Sequence, residues 1–141
     1  MRICVIDGRG GGLGRLLVAG LQNRLSAPHS VVALGTTVAA AKAMREAGAL
    51  WVSVGPSAIA RTLPSVDVIM GSLNLILPGA MCGEVTPAFA EAILNAKAKK
   101  VLLPVNRAHV EIVGTEDFTL DMLIDRSLAR VTRFIEAPSR D

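Results

Sequence analysis

The sequence predicts a Rossmann-like α/β/α fold, in which helices cover both faces of a mostly parallel sheet of five to six strands. Three observations lead there. Short apolar runs alternate with helix-periodic segments along the whole chain, and the first run breaks off into a glycine-rich loop. The third is composition: 51% of residues are hydrophobic but only 3% aromatic, with no Tyr, so the core is built from Val, Ile, Leu and Ala. Such residues suit strands buried on both sides.

Taken in order, residues 2–7 (Arg-Ile-Cys-Val-Ile-Asp) form the first strand and stop at Gly8. Residues 13–25 carry Leu13, Leu16, Leu17, Gly20 and Leu21 at helical spacing. Residues 30–34 are a second strand closed by Gly35. Thr36 or Thr37 then caps a helix over 38–47, ended by Gly48. Residues 50–54 are a third strand, and Pro56-Ser57 opens a short helix that stops near Pro64. A fourth strand over 66–70 is broken by Gly71, and a long loop with Pro78, Gly79 and Gly83 runs over 72–85. Thr86-Pro87 joins a capping hydroxyl to a proline at the first helical position. That helix ends in a basic turn, Lys97, Lys99 and Lys100, which complements the negative end of its dipole. A fifth strand is expected over 101–105 and a short sixth over 110–113. The last helix, 120–135, places Leu120, Leu123, Ile124, Leu128, Val131 and Ile135 on one face.

Several function classes are set aside by composition. Net charge is +3, from 15 basic and 12 acidic residues scattered along the chain, and no aromatic platform accompanies it, so nucleic acid is not the expected partner. Apolar runs fall well short of the roughly 18 residues of a membrane span. Cys4 and Cys82 have no metal-ligand spacing, so no metal is expected, and Cys4 reads as a small buried hydrophobe. With strand-like sequence from Arg2 and no disulfide framework, the expected location is cytoplasmic. Residues 1–141, free of interior linkers and repeats, are read as one nucleotide-binding domain.

In a parallel sheet with right-handed crossovers, ligands lie outside the carboxyl ends of the strands at the topological switch point. Four loops occupy those ends: 8–14, 35–37, 71–85 and 106–109. The first, Gly8-Arg9-Gly10-Gly11-Gly12-Leu13-Gly14, offers bare N–H groups and the positive end of a helix dipole to a phosphate. It lacks the G-x-G-x-x-G spacing, but Gly8, Gly12 and Gly14 give G-x-x-x-G-x-G. No Lys-Ser or Lys-Thr pair closes it, which excludes a Walker A loop.

Residues 5–15, Val-Ile-Asp-Gly-Arg-Gly-Gly-Gly-Leu-Gly-Arg, resemble the cofactor loop of short-chain dehydrogenases and related Rossmann families, and are similar to that of prephenate dehydrogenases. The resemblance covers about the first fifth of the chain and implies an NAD(P) pocket. It does not extend to the reactions: without Tyr the short-chain dehydrogenase Tyr–Lys centre is absent, and the chain has no length for a second helical domain. The whole chain also resembles a family of short bacterial proteins of unknown function. They share Val-Ile-Asp-Gly-x-Gly-Gly-Gly, Ala-Leu-Gly-Thr, Gly-Glu-x-Thr-Pro and Pro-Val-Asn.

The cofactor site is therefore expected at Gly8, Arg9, Gly10, Gly11, Gly12, Leu13, Gly14, Thr36, Thr37, Gly71 and Ser72. The second strand lacks the terminal carboxylate that usually binds NAD ribose, whereas Arg9, Thr36 and Thr37 suit a 2′-phosphate. The expectation thus leans to NADP over NAD. Against it, Arg9 reads equally as a solvated surface residue and Thr36 as a helix cap. Glu84 and Cys82 are candidate acid/base and nucleophile, although Glu84 also suits the start of the next helix and Cys82 a packed thiol. Asn106 and His109 are candidates for a substrate carboxylate or phosphate, or members of a polar turn. Asp7 is expected to accept backbone N–H groups.

Three functions stay open: an NAD(P)-binding sensor or partner subunit, a compact enzyme completed by a neighbouring subunit, and an interaction module without ligand. A lone domain of this size leaves the reactive end of a dinucleotide uncovered. A homo-oligomer, and specifically a dimer with the loop after Gly71 near its interface, is expected.

Overall fold

The computed structural model describes residues 1–105 and 109–137. Its strands are β1 (Arg2–Asp7), β2 (Ser30–Gly35), β3 (Trp51–Val54), β4 (Val68–Ser72) and β5 (Lys99–Leu103). They make an all-parallel sheet in the order β3-β2-β1-β4-β5. The helices between them are α1 (Gly12–Arg24), α2 (Val38–Glu46), α3 (Pro56–Thr62) and α4 (Pro87–Asn95), and α5 (Leu120–Glu136) closes the chain.

Alternation along β1 divides the core in two. Ile3 and Val5 face one layer with Leu17 and Leu21 of α1, Met44 of α2, and Leu128 and Val131 of α5. Cys4 and Ile6 face the other, with Ile59 of α3 and Ile93 of α4. Both faces of a central strand are thus apolar, which is why its sequence runs hydrophobic without interruption. Fully buried side chains such as Leu17, Met44 and Ile93 each contribute about 1.5–3 kcal/mol of burial free energy. The result is a Rossmann-like three-layer α/β/α fold.

Caps read from sequence are in place. Thr37 accepts the N–H of Ala40 at 3.1 Å to start α2, and Thr86 accepts that of Phe89 at 3.1 Å to start α4. The predicted stripe on α5 packs inward through Leu123, Ile124, Leu128, Val131 and Ile135, while Leu120 at its first turn stays exposed.

Other expectations are corrected. β4 runs through Gly71 and Ser72, because Gly71 sits tightly against the Ile6 carbonyl and Leu75, where a side chain has no room. The loop after it begins with a 3-10 turn, Leu73–Ile76, capped by Ser72. Lys99 and Lys100 belong to β5 and not to a helical turn, yet Lys100 donates its ammonium to the Leu94 carbonyl at 3.0 Å and to that of Ala96. The cation still serves the C-terminus of α4, but from the neighbouring strand. No sixth strand forms over 110–113 among the described residues. Val110 makes an isolated bridge, and Val113 is 91% exposed, so that apolar run is not core.

Candidate functional site

The strand order reverses between β1 and β4, so the loops that follow them diverge and leave a crevice at the carboxyl edge of the sheet. It has a volume of about 210 Å³ and is lined by Asp7, Gly8, Arg9 and Leu13 from the first loop and by Ser72, Asn74 and Met81 from the second. Four of the predicted cofactor residues, Gly8, Arg9, Leu13 and Ser72, are thereby brought together.

The start of α1 has an unusual account of its donors. Four N–H groups at a helix N-terminus lack intrahelical acceptors, and the N-cap, Gly11, has no side chain to help. Its φ of 72° is a left-handed conformation that glycine adopts without strain, and its own N–H returns to the Gly8 carbonyl at 3.0 Å. Asp7 supplies what the cap lacks. Its Oδ2 accepts the N–H of Gly14 at 2.6 Å, its Oδ1 accepts that of Gly8 at 2.7 Å, and Leu13 also donates toward it. The N–H groups of Gly10 and Gly12 have no acceptor among the described residues. A Cβ built on either glycine would meet nothing. The two free donors lie beside the positive end of the α1 dipole, at residues that carry no side chain and have room around the Cβ position. Gly14 is the opposite case, pressed on Asp7 and on the Met44 sulfur so closely that a Cβ would lie 2.7 Å from the latter.

Asp7 is buried, and that burial first of all pushes its carboxyl above the ordinary range. The Glu84 carboxylate pushes the same way, while the hydrogen bonds from Gly14, Gly8 and Leu13 oppose it.

The sequence singles out Glu84 as a candidate acid/base, but its contact with the first loop is what sequence reasoning missed. The chain over 79–85 turns back on itself, with Gly79, Met81, Cys82 and Gly83 all at positive φ and the Gly79 N–H donating to the Val85 carbonyl at 2.7 Å. This carries Glu84 across the first loop. Its Oε1 accepts the hydroxyl of Thr36 and the N–H of Arg9, the latter at 3.3 Å. Two positive-φ residues that are not glycine, Met81 and Cys82, make the turn, and no local sequence signal announces them.

The remaining candidates are placed as follows. Thr37 is committed as the α2 cap and donates its hydroxyl to the Arg9 carbonyl. Gly71 packs inside the sheet and Ser72 caps the following turn. Cys82 and His109 are exposed, and Asn106 lies outside the described residues. Among the described residues no group of His, Cys, Asp or Glu is arranged to hold a metal ion. No helix there is long and apolar enough to cross a membrane.

Fold and crevice together define a Rossmann-like α/β protein with an open crevice between the loops after β1 and β4. A family model described as a domain of unknown function (DUF3842) matches residues 2–136, and the chain belongs to that family. No curated protein matches it. Among solved structures it is similar to the dodecameric FMN-dependent UbiX-like decarboxylase from Escherichia coli O157:H7. The TM-score is 0.55 at 15% identity, over 99% of this chain and 96% of that one. At that identity the likeness is one of fold.

The expectation of NADP or NAD is overturned by this comparison, since the matched enzyme is FMN-dependent. The geometry gives a physical reason against NADP in particular. Thr36, meant to meet a 2′-phosphate, already donates to Glu84. A carboxylate stands where the second phosphate needs a cation.

Proposed function

We propose that this chain binds a phosphorylated mononucleotide of the flavin type, FMN, in the crevice between the loops after β1 and β4. The observation that carries the reading is the pair of unengaged N–H groups on Gly10 and Gly12 at the start of α1, two residues at which a Cβ would meet nothing. A phosphate monoester takes such donors together with the helix dipole, and the exposed Arg9 guanidinium at the lip adds a charged donor. Asp7 holds the loop in register without occupying those two N–H groups.

The crevice is smaller than the roughly 300–1,000 Å³ of a typical small-molecule pocket. It suits the phosphate and the polyol chain, and leaves the ring system over Met81 and Val105. A second copy of the chain is the natural cover for such a ring. Homo-oligomerisation is part of the proposal, and the dodecameric state of the structural neighbour supports it. A bound flavin supplies reversible electron uptake; this chain's residues supply anchorage and orientation.

The test is titration with FMN and riboflavin, followed by flavin fluorescence and calorimetry. FMN should bind saturably, and riboflavin, lacking the phosphate, at least about tenfold more weakly, a difference of about 1.4 kcal/mol. Gly12→Val should lower FMN affinity by a similar factor while the thermal melt stays within about 2 °C. Absence of saturable FMN binding, or equal affinity for FMN and riboflavin, would overturn the reading.

A further inference from the structure

The two edges of the sheet are not alike. β5, at one end of the strand order, opens with Lys99 and Lys100, the kind of charge that keeps an edge from pairing with another chain. β3, at the other end, reads Trp-Val-Ser-Val. Its inner side pairs with β2 from Val32↔Trp51 to Gly35↔Val54, and among the described residues no strand lies on its outer side. Leu50, Trp51 and Val54 are 74%, 44% and 39% exposed, all of them apolar and all on this edge. Residues 47–60 contain no Asp, Glu, Lys, Arg or His, although the chain carries 15 basic and 12 acidic residues. Nothing guards this edge.

These features select the partner. Two copies of one strand that pair antiparallel are related by a two-fold axis, so the same surface serves both sides. A charge on such a strand would be set close to its own like charge across the axis, which is destabilising. An uncharged strand escapes that cost, and β3 is one.

Alternation then favours one register. Val52 packs on the core layer of α1, α2 and α5, and Leu50 and Val54 fall on the same face of the sheet at intervals of two. With the two copies of Val52 opposite one another, Leu50 of each copy lies across from Val54 of the other, and Trp51 across from Ser53. All three exposed apolar side chains gain a neighbour. A register centred on Ser53 would carry Leu50 past the strand, opposite Pro56 at the start of α3.

We infer that β3 pairs antiparallel with β3 of a second copy, about a two-fold axis at Val52, joining the two sheets into one. A contact of one short strand from each copy is small beside the roughly 1,600 Å² of a standard protein interface, so the dimer is reversible. This edge is a different surface from the one proposed to cover a flavin ring. β2 stands between it and the crevice strands β1 and β4, and pairing here does not depend on what the crevice holds.

The experiment is sedimentation velocity on the full chain from about 1 to about 200 μM, the range in which so small a contact associates. Dimer should grow with concentration. Trp51, the single tryptophan of the chain, should shift its emission to the blue in step. Leu50→Lys and Val54→Glu each set a charge against an apolar side chain across the axis, and each should weaken dimerisation at least about tenfold. Both changes in one chain bring opposite charges face to face between copies and should recover most of the lost affinity. Within one chain the two positions are about 13 Å apart along an extended strand, too far to pair with each other. Both side chains are exposed, so the variants should melt within about 2 °C of wild type. A monomer at every concentration would overturn the inference. So would a dimer that both single variants leave intact, because its contact would lie on another surface. Losses that the double variant does not recover would overturn the register about Val52.

Discussion

Asp7→Asn separates a carboxylate that organises the loop from one that merely lies beneath it. The two backbone donors on Asp7 use different oxygens, Gly8 on Oδ1 at 2.7 Å and Gly14 on Oδ2 at 2.6 Å. A carboxamide has one acceptor oxygen, so in either orientation its NH₂ confronts a backbone N–H, and one buried donor loses its partner. Hydrogen bonds to a charged group contribute about 1.5–3 kcal/mol each, and the expected loss at pH 7 is about 2 kcal/mol. For a chain of 141 residues that lowers Tm by about 7 °C. The pH dependence has a definite sign. Burial raises the folded-state pKa of Asp7 above its unfolded value, so the native state binds the proton more readily. The stability linked to that proton is present at low pH and is lost as pH rises through the raised pKa. Asn does not titrate, so the gap between wild type and variant should widen as pH falls from about 7 toward about 4. Thermal unfolding by circular dichroism across that range measures both. A variant within about 0.5 kcal/mol of wild type at pH 7 would refute the account of α1 capping given above.

Two further outcomes follow from the same geometry. Gly11→Ala should cost about 2 kcal/mol or more, because φ is 72° and the new Cβ lies 2.8 Å from the Ala40 backbone, whereas Gly12→Ala, facing open space in the first turn, should be neutral or gain up to about 1 kcal/mol in denaturant titrations. Of the two thiols, Cys82 is exposed and Cys4 is buried, with its pKa pushed up to about 12 by burial, so a native-state titration with a disulfide reagent at pH 8 should count one thiol quickly and the second only on unfolding.

The alternation of strands and helices was legible because glycines and caps punctuate it: Gly8, Gly35, Thr37, Gly48 and Thr86-Pro87 all mark real boundaries. Strand ends were less so. β4 and β5 each sit two residues from where apolar content places them, since a strand buried on both faces has no alternation to set its phase. Lys99 and Lys100 look like helix-terminal residues, yet β5 is an edge strand whose lysines can lie along its rim. At the site, the glycine loop was visible from spacing, but its partner was not. Glu84 reaches Thr36 and Arg9 from 48 and 75 residues away, by a turn whose left-handed residues are Met and Cys. Tertiary closure of that kind leaves no local pattern. The run over 110–113 failed differently: Val110 and Val113 are apolar but exposed, so the run does not join the core.

Glu84 gives the sharpest contrast with Asp7, because its two donors converge on one oxygen. Thr36 and Arg9 both donate to Oε1, so the carbonyl of a glutamine can accept both while the charge disappears. Glu84→Gln should therefore keep the fold, with Tm within about 2 °C of wild type, where Asp7→Asn does not. Its effect should show instead in the neighbouring carboxyl. The Glu84 charge is one of the causes that raise the Asp7 pKa, and removing it should move that pKa down toward the ordinary range. Carbon-detected NMR titration of the Asp7 side chain reads this directly, with no ligand present. A lowered pKa with unchanged stability identifies Glu84 as an electrostatic neighbour that restrains the loop through neutral contacts. A melt lowered by as much as in Asp7→Asn, with the Asp7 titration unmoved, would mean that the 79–85 turn depends on the Glu84 charge itself, and the picture of two carboxylates with separate duties around one loop would be wrong.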